Sequence, residues 1–153
     1  MGEPIFEPEK IPFEQIENNN ATYTVEGYEV GVISVGNPHA VLIVDNINEV
    51  NVEEIGKKIQ SSAYFPEGVN VNFVEVIDNK NIKLRVYERG VGETLACGSG
   101  ACATVSYLNK IKKVNNLVNI ELKGGKLQIE MTERGIKMLG DAHFVFDGTI
   151  NYE

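Results

Sequence analysis

The residues whose types and spacing could do chemistry lie in one run, Glu88-Arg89-Gly90-Val91-Gly92-Glu93-Thr94-Leu95-Ala96-Cys97-Gly98-Ser99-Gly100-Ala101. It brings a thiol, carboxylates and a guanidinium together with four glycines. The apolar content that follows predicts a helix from about Ser99 to Lys110. Cys97 would then sit at a helix start, where backbone N–H groups without an intrahelical acceptor converge. The positive end of the helix dipole favours both a thiolate and a bound carboxylate, so the Cys97 thiol is expected to have a lowered pKa. Flanking glycines let backbone approach a ligand closely. Together these features describe a reactive thiol beside an anion pocket. Arg89 suits that pocket, because a guanidinium can donate two parallel hydrogen bonds to a carboxylate. Upstream, the corner Gly36-Asn37-Pro38-His39 adds an imidazole.

The elements that must hold these residues can be read from periodicity. Tyr28 to Val35 and Ala40 to Val44 are β-branched stretches on either side of the Gly36–His39 corner and predict two strands. Asn51 with Glu54 three residues later has the form of a capping box. Val52, Ile55, Ile59 and Ala63 then recur at helical spacing, which predicts one amphipathic helix. After the Pro66-Glu67-Gly68 break, Val69 to Ile77 and Ile82 to Tyr87 predict a hairpin across Asp78-Asn79-Lys80-Asn81, with one face buried. Beyond the second helix, Val118 to Leu122 and Leu127 to Met131 flank Gly124-Gly125, and Ile136 to Leu139 and His143 to Val145 have strand character. The opening Gly2 to Pro12, with three prolines, reads as an irregular or edge-strand entry. These elements predict one α+β domain, a mostly antiparallel sheet packed on a buried helix.

The run from Glu88 to Ala101 resembles the second cysteine motif of diaminopimelate epimerases, and Gly36-Asn37-Pro38-His39 resembles that family's upstream asparagine-histidine corner. The likeness also takes in Gly2-Glu3-Pro4, the Pro66-to-Phe73 segment with Asn70, and the closing Phe144-to-Ile150 segment. It therefore covers the whole chain but only the second half of the family. For the fold it implies a strongly curved, barrel-like sheet wrapped around a central helix, one domain over 1–153. Residues 1–12 and about 144–153 would contact or cross to an N-terminal domain. For function it implies cofactor-independent epimerisation of LL-diaminopimelate to meso-diaminopimelate, a step of lysine and peptidoglycan-precursor synthesis, without pyridoxal phosphate or metal. Two cysteines flank the substrate α-carbon in such enzymes; one as thiolate removes the proton and the other as thiol delivers one to the opposite face. By the same residue match Cys97, His39 and Glu88 would be catalytic, with His39 and Glu88 tuning the thiols. Asn37, Asn70, Glu88, Arg89, Gly98 and Ser99 would contact the substrate. The Gly98 and Ser99 N–H groups would hold the α-carboxylate as negative charge develops.

Inversion at one carbon needs an acid and a base on opposite faces. Cys102, five residues from Cys97 on the same helix, cannot reach across a substrate and is expected to be a buried structural residue. The family's other cysteine motif, a cysteine followed by Gly-Asn-Gly, does not occur. The chain is thus expected to be a fragment or a split gene product holding half an active site, inactive alone. Its expected partners are an amino-acid substrate, the complementary N-terminal domain and a second copy in a homodimer. A formal charge of -8 and 42% hydrophobic content indicate a globular domain without a nucleic-acid footprint. No apolar run of membrane-spanning length occurs and the start is acidic and proline-rich, so a cytoplasmic location is expected. His143 is expected to be structural.

Other readings compete. Gly98-Ser99-Gly100-Ala101-Cys102-Ala103 fits a G-x-G-x-x-A dinucleotide pattern, which would require a buried strand just before it. A cysteine hydrolase would require a histidine at the Cys97 sulfur. A related cofactor-independent amino-acid racemase of the proline racemase or phenazine-biosynthesis type, or a non-catalytic binding half-domain, would keep the architecture.

Overall fold

The computed structural model describes residues 1–14 and 21–152. Among them nine strands and two α-helices follow in the order β1 (Thr22–Val25), β2 (Tyr28–Ser34), β3 (Pro38–Ile43), α1 (Val52–Gln60), β4 (Asn70–Val76), β5 (Asn81–Glu88), β6 (Gly92–Thr94), α2 (Gly98–Lys110), β7 (Leu117–Leu122), β8 (Gly125–Thr132) and β9 (Gly135–Gly140). All strands belong to one sheet, ordered β1-β2-β3-β4-β5-β7-β8-β9, with β6 attached to β5. Most pairings are antiparallel, as expected, but β3 pairs β4 and β5 pairs β7 in parallel. A parallel pair cannot be closed by a tight turn and needs a crossover. The two helices supply it: α1 lies between β3 and β4 in the chain, and α2 between β5 and β7.

The strands divide their side chains between the two helices. In β3, Ala40 and Leu42 join the cluster of Val52 and Ile59 from α1, whereas Val41 joins the cluster of Ala101, Val105 and Leu108 from α2. In β4, Val71 and Phe73 go to the first cluster and Val74 to the second. Alternation of period two thus gives each helix its own face of the sheet. The expected N-cap of α1 forms, with the Glu54 side chain returning to the Asn51 amide rather than to its backbone N–H: Asn51 Oδ1 accepts from the Glu54 N–H at 3.3 Å and Asn51 Nδ2 donates to the Glu54 carboxylate at 2.7 Å. Helix α2 is buried continuously from Gly100 to Leu108. It approaches β2 so closely that a Cβ on Gly31 would overlap the Tyr107 ring.

The expected barrel-like closure is not seen, because β1 and β9 remain the two ends of an open order among the described residues. The strand expected at His143–Val145 is absent. Beyond β9 the chain carries no regular structure through 152, and Phe144, Val145 and Phe146 are 79%, 82% and 79% exposed. Their types suit a strand, but propensity alone does not pair it, and the segment joins neither open edge of the sheet. Two short strands escaped the periodicity, β1 across the Glu26-Gly27 turn and β6 within the glycine-rich run. The opening segment packs on this chain: Ile5 bridges Ser34, Ile11 and Phe13 are buried, and the Met1 amino group donates to the Ile136 carbonyl at 2.9 Å.

Candidate active site

Parallel pairing of β3 with β4 sets His39 opposite Asn70, so the Asn37–His39 corner lies beside Asn70-Val71-Asn72. The first turn of α2 meets the same face. His39 is fully buried; its Nε2 is 3.1 Å from Asn37 Oδ1 and its Nδ1 3.3 Å from Asn72 Oδ1. Burial disfavours the imidazolium and pushes the His39 pKa from an ordinary 6.5 down to about 4, against the upward pull of Asn72 and of the Glu88 charge. The ring is neutral at physiological pH. Asn72, also fully buried, donates from Nδ2 to the Gly100 carbonyl and to Thr104 Oγ1, both at 3.1 Å. A polar chain therefore runs from the β3 corner through β4 into the first turn of α2.

Cys97 is the N-cap of α2, in extended conformation, with its sulfur accepting from the Gly100 N–H at 3.4 Å and lying 3.4 Å from Ser99 Oγ. The N–H groups of Gly98 and Ser99 open the helix and have no intrahelical carbonyl to reach. Cys97 itself is 7% exposed, beside Leu95 and Ala96, which are exposed. The expected lowering of its pKa is overturned. Burial, first, and then the neighbouring Glu88 carboxylate raise the thiol above its ordinary range, and the hydrogen bonds from Ser99 and Gly100 do not offset them. The helix start acts as expected, but desolvation penalises the thiolate more. The balance at this sulfur favours the thiol over the thiolate.

The other expected site residues lie at differing depth. Glu88, half-buried at the end of β5, accepts a 2.6 Å hydrogen bond from Thr94 Oγ1 on β6. Asn70 is buried, donating to the Pro38 carbonyl at 3.2 Å and accepting from the Arg89 N–H at 2.9 Å, so it joins the corner to the start of the glycine-rich run. The Arg89 guanidinium is exposed and donates to the Glu67 carbonyl at 3.0 Å. Gly124, in the β7–β8 turn, donates to the Leu95 carbonyl at 2.7 Å and leaves no room for a side chain there. Both cysteines are free, and Cys102 is fully buried, as expected.

The competing chemistries lose their requirements. Residues Gly92–Thr94 before α2 form a short, half-buried strand paired antiparallel with β5, not the buried parallel strand of a dinucleotide fold. Among the described residues the sulfur's hydrogen-bond partners are Ser99 and Gly100, and both His39 nitrogens face asparagines, so no Cys-His pair exists for hydrolysis. No group of three or more His, Cys, Asp or Glu among the described residues could hold a metal ion. Sequence reasoning missed Asn72, Thr94, Thr104 and Met138, whose thioether end lies against Gly98. For Asn72 a signal was present: in Asn70-Val71-Asn72-Phe73 the strand period puts both asparagines on the α2 face.

Comparison with known proteins agrees with this arrangement. The family model "Diaminopimelate epimerase" matches residues 31–145. Diaminopimelate epimerases of Xylella fastidiosa strains M12 and 9a5c are each 47% identical over 154 aligned positions, covering 97% of this chain and 54% of the relative. The chain thus spans about half the length of these curated relatives. Among solved structures, a phenazine biosynthesis protein of Bacillus anthracis is 26% identical at TM-score 0.52, over 67% of this chain and 34% of its own. A probable proline racemase of Agrobacterium radiobacter K84 shares the fold at 15% identity and TM-score 0.53, over 74% and 42%. A hydroxyproline epimerase of Agrobacterium vitis does so at 14% and 0.51, over 80% and 49%. With three quarters of its length matched by the family model and relatives of nearly half its residues identical, this chain belongs to the diaminopimelate epimerase family.

Proposed function

We propose that this chain supplies one half of the active site of a cofactor-independent epimerase that converts LL-diaminopimelate to meso-diaminopimelate, with Cys97 as one of its two acid/base residues. The observation that carries the reading is the Cys97 sulfur at the N-cap of α2, bonded to the Gly100 N–H beside Glu88, where burial favours the thiol over the thiolate. A protonated thiol suits the donor role: it gives its proton to one face of the planar carbanion after a base on the other face has removed the α-proton. The N–H groups of Gly98 and Ser99 would receive the α-carboxylate, onto which negative charge spreads as the proton leaves. Arg89, Asn37 and Asn70 would hold the remaining polar groups of the substrate, and Glu88 would set the affinity of the sulfur for its proton. His39, neutral and held on both nitrogens, would contribute geometry to the corner rather than a titrating proton.

The second acid/base residue would come from a complementary domain facing α2. In this reading 1–153 is one domain, and the exposed segment from Phe144 onward would cross to that partner, where its aromatic side chains would be buried. Purified chain incubated with LL-diaminopimelate in D2O tests the half-site reading. No deuterium at the α-carbon is the expected result, and exchange above the uncatalysed rate would show that the chain carries a complete acid/base pair.

A further inference from the structure

Asn72 lies two residues from Asn70, the nearest position to which the resemblance assigns a role, yet it is the side chain on which the buried polar chain turns. Its amide has two protons and one carbonyl oxygen to place. The half-turned orientation would set Asn72 Oδ1 against the Gly100 carbonyl, acceptor on acceptor, so Nδ2 faces Gly100. The two N–H bonds then go to Gly100 O and Thr104 Oγ1. For the Asn72 oxygen, the one side-chain donor within reach among the described residues is His39 Nδ1, at 3.3 Å.

The same ring nitrogen is also 3.3 Å from Asn72 Nδ2, which admits the opposite polarity. In that case His39 would carry its proton on Nε2, and the Asn72 oxygen, fully buried, would lose its side-chain donor. A buried acceptor without a donor is the costlier arrangement. With the proton on Nδ1 every buried atom is satisfied. The adjustment falls on Asn37, which is only half-buried and turns its N–H2 group to the Nε2 lone pair. Its carbonyl oxygen is then directed away from the imidazole, free to accept a hydrogen bond from a substrate ammonium group.

We propose that Asn72 is a positioning residue that fixes His39 as the Nδ1–H tautomer, couples it to the first turn of the thiol helix, and thereby orients Asn37 with its oxygen free for an amino-acid substrate. The substrate clause rests on the function proposed above. The tautomer stands or falls without it.

Imidazole nitrogen NMR on the 15N-labelled chain tests the proposal directly. The chain has only two histidines, and the exposed His143 is assigned by the His143→Gln variant. The expected His39 pattern is a protonated Nδ1 and a bare Nε2. A protonated Nε2, or two protonated nitrogens, overturns the proposal whatever the catalytic activity. In the wild type Asn72 Oδ1 is the acceptor for Nδ1–H. In Asn72→Ala it is lost, and the proton should move wholly or in part to Nε2, towards Asn37 Oδ1. An unchanged tautomer in a folded Asn72→Ala chain would show that Asn72 merely fills space. Should Asn72→Ala fail to fold, the wild-type pattern still decides the tautomer.

Discussion

Two glycines in the first turn of α2 provide a matched pair of perturbations. A Cβ on Gly100 would lie 3.2 Å from Asn72 Oδ1, 3.2 Å from Val86 Cγ2 and 3.3 Å from Cys97 Sγ. None of these can retreat easily: Asn72 is held by three groups, Val86 is in the sheet and Cys97 caps the helix. A Cβ on Gly98 would meet only the Met138 Cε and Sδ at 3.2 Å, the end of a flexible side chain that is 48% exposed. Replacing glycine by alanine within a helix gains up to about 1 kcal/mol of propensity. Overpacking a rigid site costs about 1–3 kcal/mol. For Gly100→Ala the balance is a loss of roughly 1 kcal/mol, and for a chain of this length that lowers Tm by about 3 °C. For Gly98→Ala Met138 swings aside, so Tm stays or rises. Thermal unfolding followed by circular dichroism reads both. A Gly100→Ala chain at or above the wild-type Tm, with Gly98→Ala below it, would refute the close approach of Asn72 and Cys97 on which the site is built.

Other outcomes follow from the electrostatics and the open surfaces. Because Glu88 raises the Cys97 pKa, Glu88→Gln should lower it and speed iodoacetamide alkylation near neutral pH in a Cys102→Ala background; Ser99→Ala removes a bond that favours the thiolate and should slow the reaction. His39 is held at about 4 against an ordinary 6.5, so its contribution to stability is complete above pH 6.5. It is lost as pH falls towards 4, because the unfolded chain binds the proton that the folded chain refuses. The full difference amounts to about 3 kcal/mol, and urea titrations from neutral to mildly acid pH should show it and lose it in His39→Gln. Deleting residues 141–152 should leave Tm within about 1 °C, since that exposed segment has no regular pairing on this chain. Size exclusion over a range of concentrations should show self-association of the intact chain through Phe144, Val145 and Phe146, and a strict monomer would contradict it.

Local rules carried the sequence reading furthest where the interaction is local. The Asn51–Glu54 cap, the helix at the end of the glycine-rich run and the β7–β8 hairpin all depend on residues a few positions apart. The parallel pairs β3–β4 and β5–β7 were not legible, since periodicity fixes a strand's faces but not its neighbour. The Glu88 carboxylate lies close enough to both His39 and Cys97 for its charge to act on each, a long-range meeting of two motifs that spacing alone does not fix. The protonation state of the thiol was misjudged because a helix start is visible in sequence while the depth of burial is not. His143–Val145 shows the converse failure: strand-forming residues lie there unpaired with the sheet. Asn72 was obscured by its neighbour Asn70, which carried the resemblance, although both occupy the same face of β4.

The central claim is that the Cys97 sulfur passes a proton to the substrate α-carbon from the start of α2. It is tested most directly by fusing this chain to the N-terminal half of the Xylella fastidiosa relative and following solvent deuterium into the inverted product, meso-diaminopimelate formed from the LL isomer, with and without Cys97→Ala. The account predicts labelled meso product from the fusion and its loss in Cys97→Ala, with the fold intact by circular dichroism. Labelled meso product undiminished in a folded Cys97→Ala fusion would contradict it.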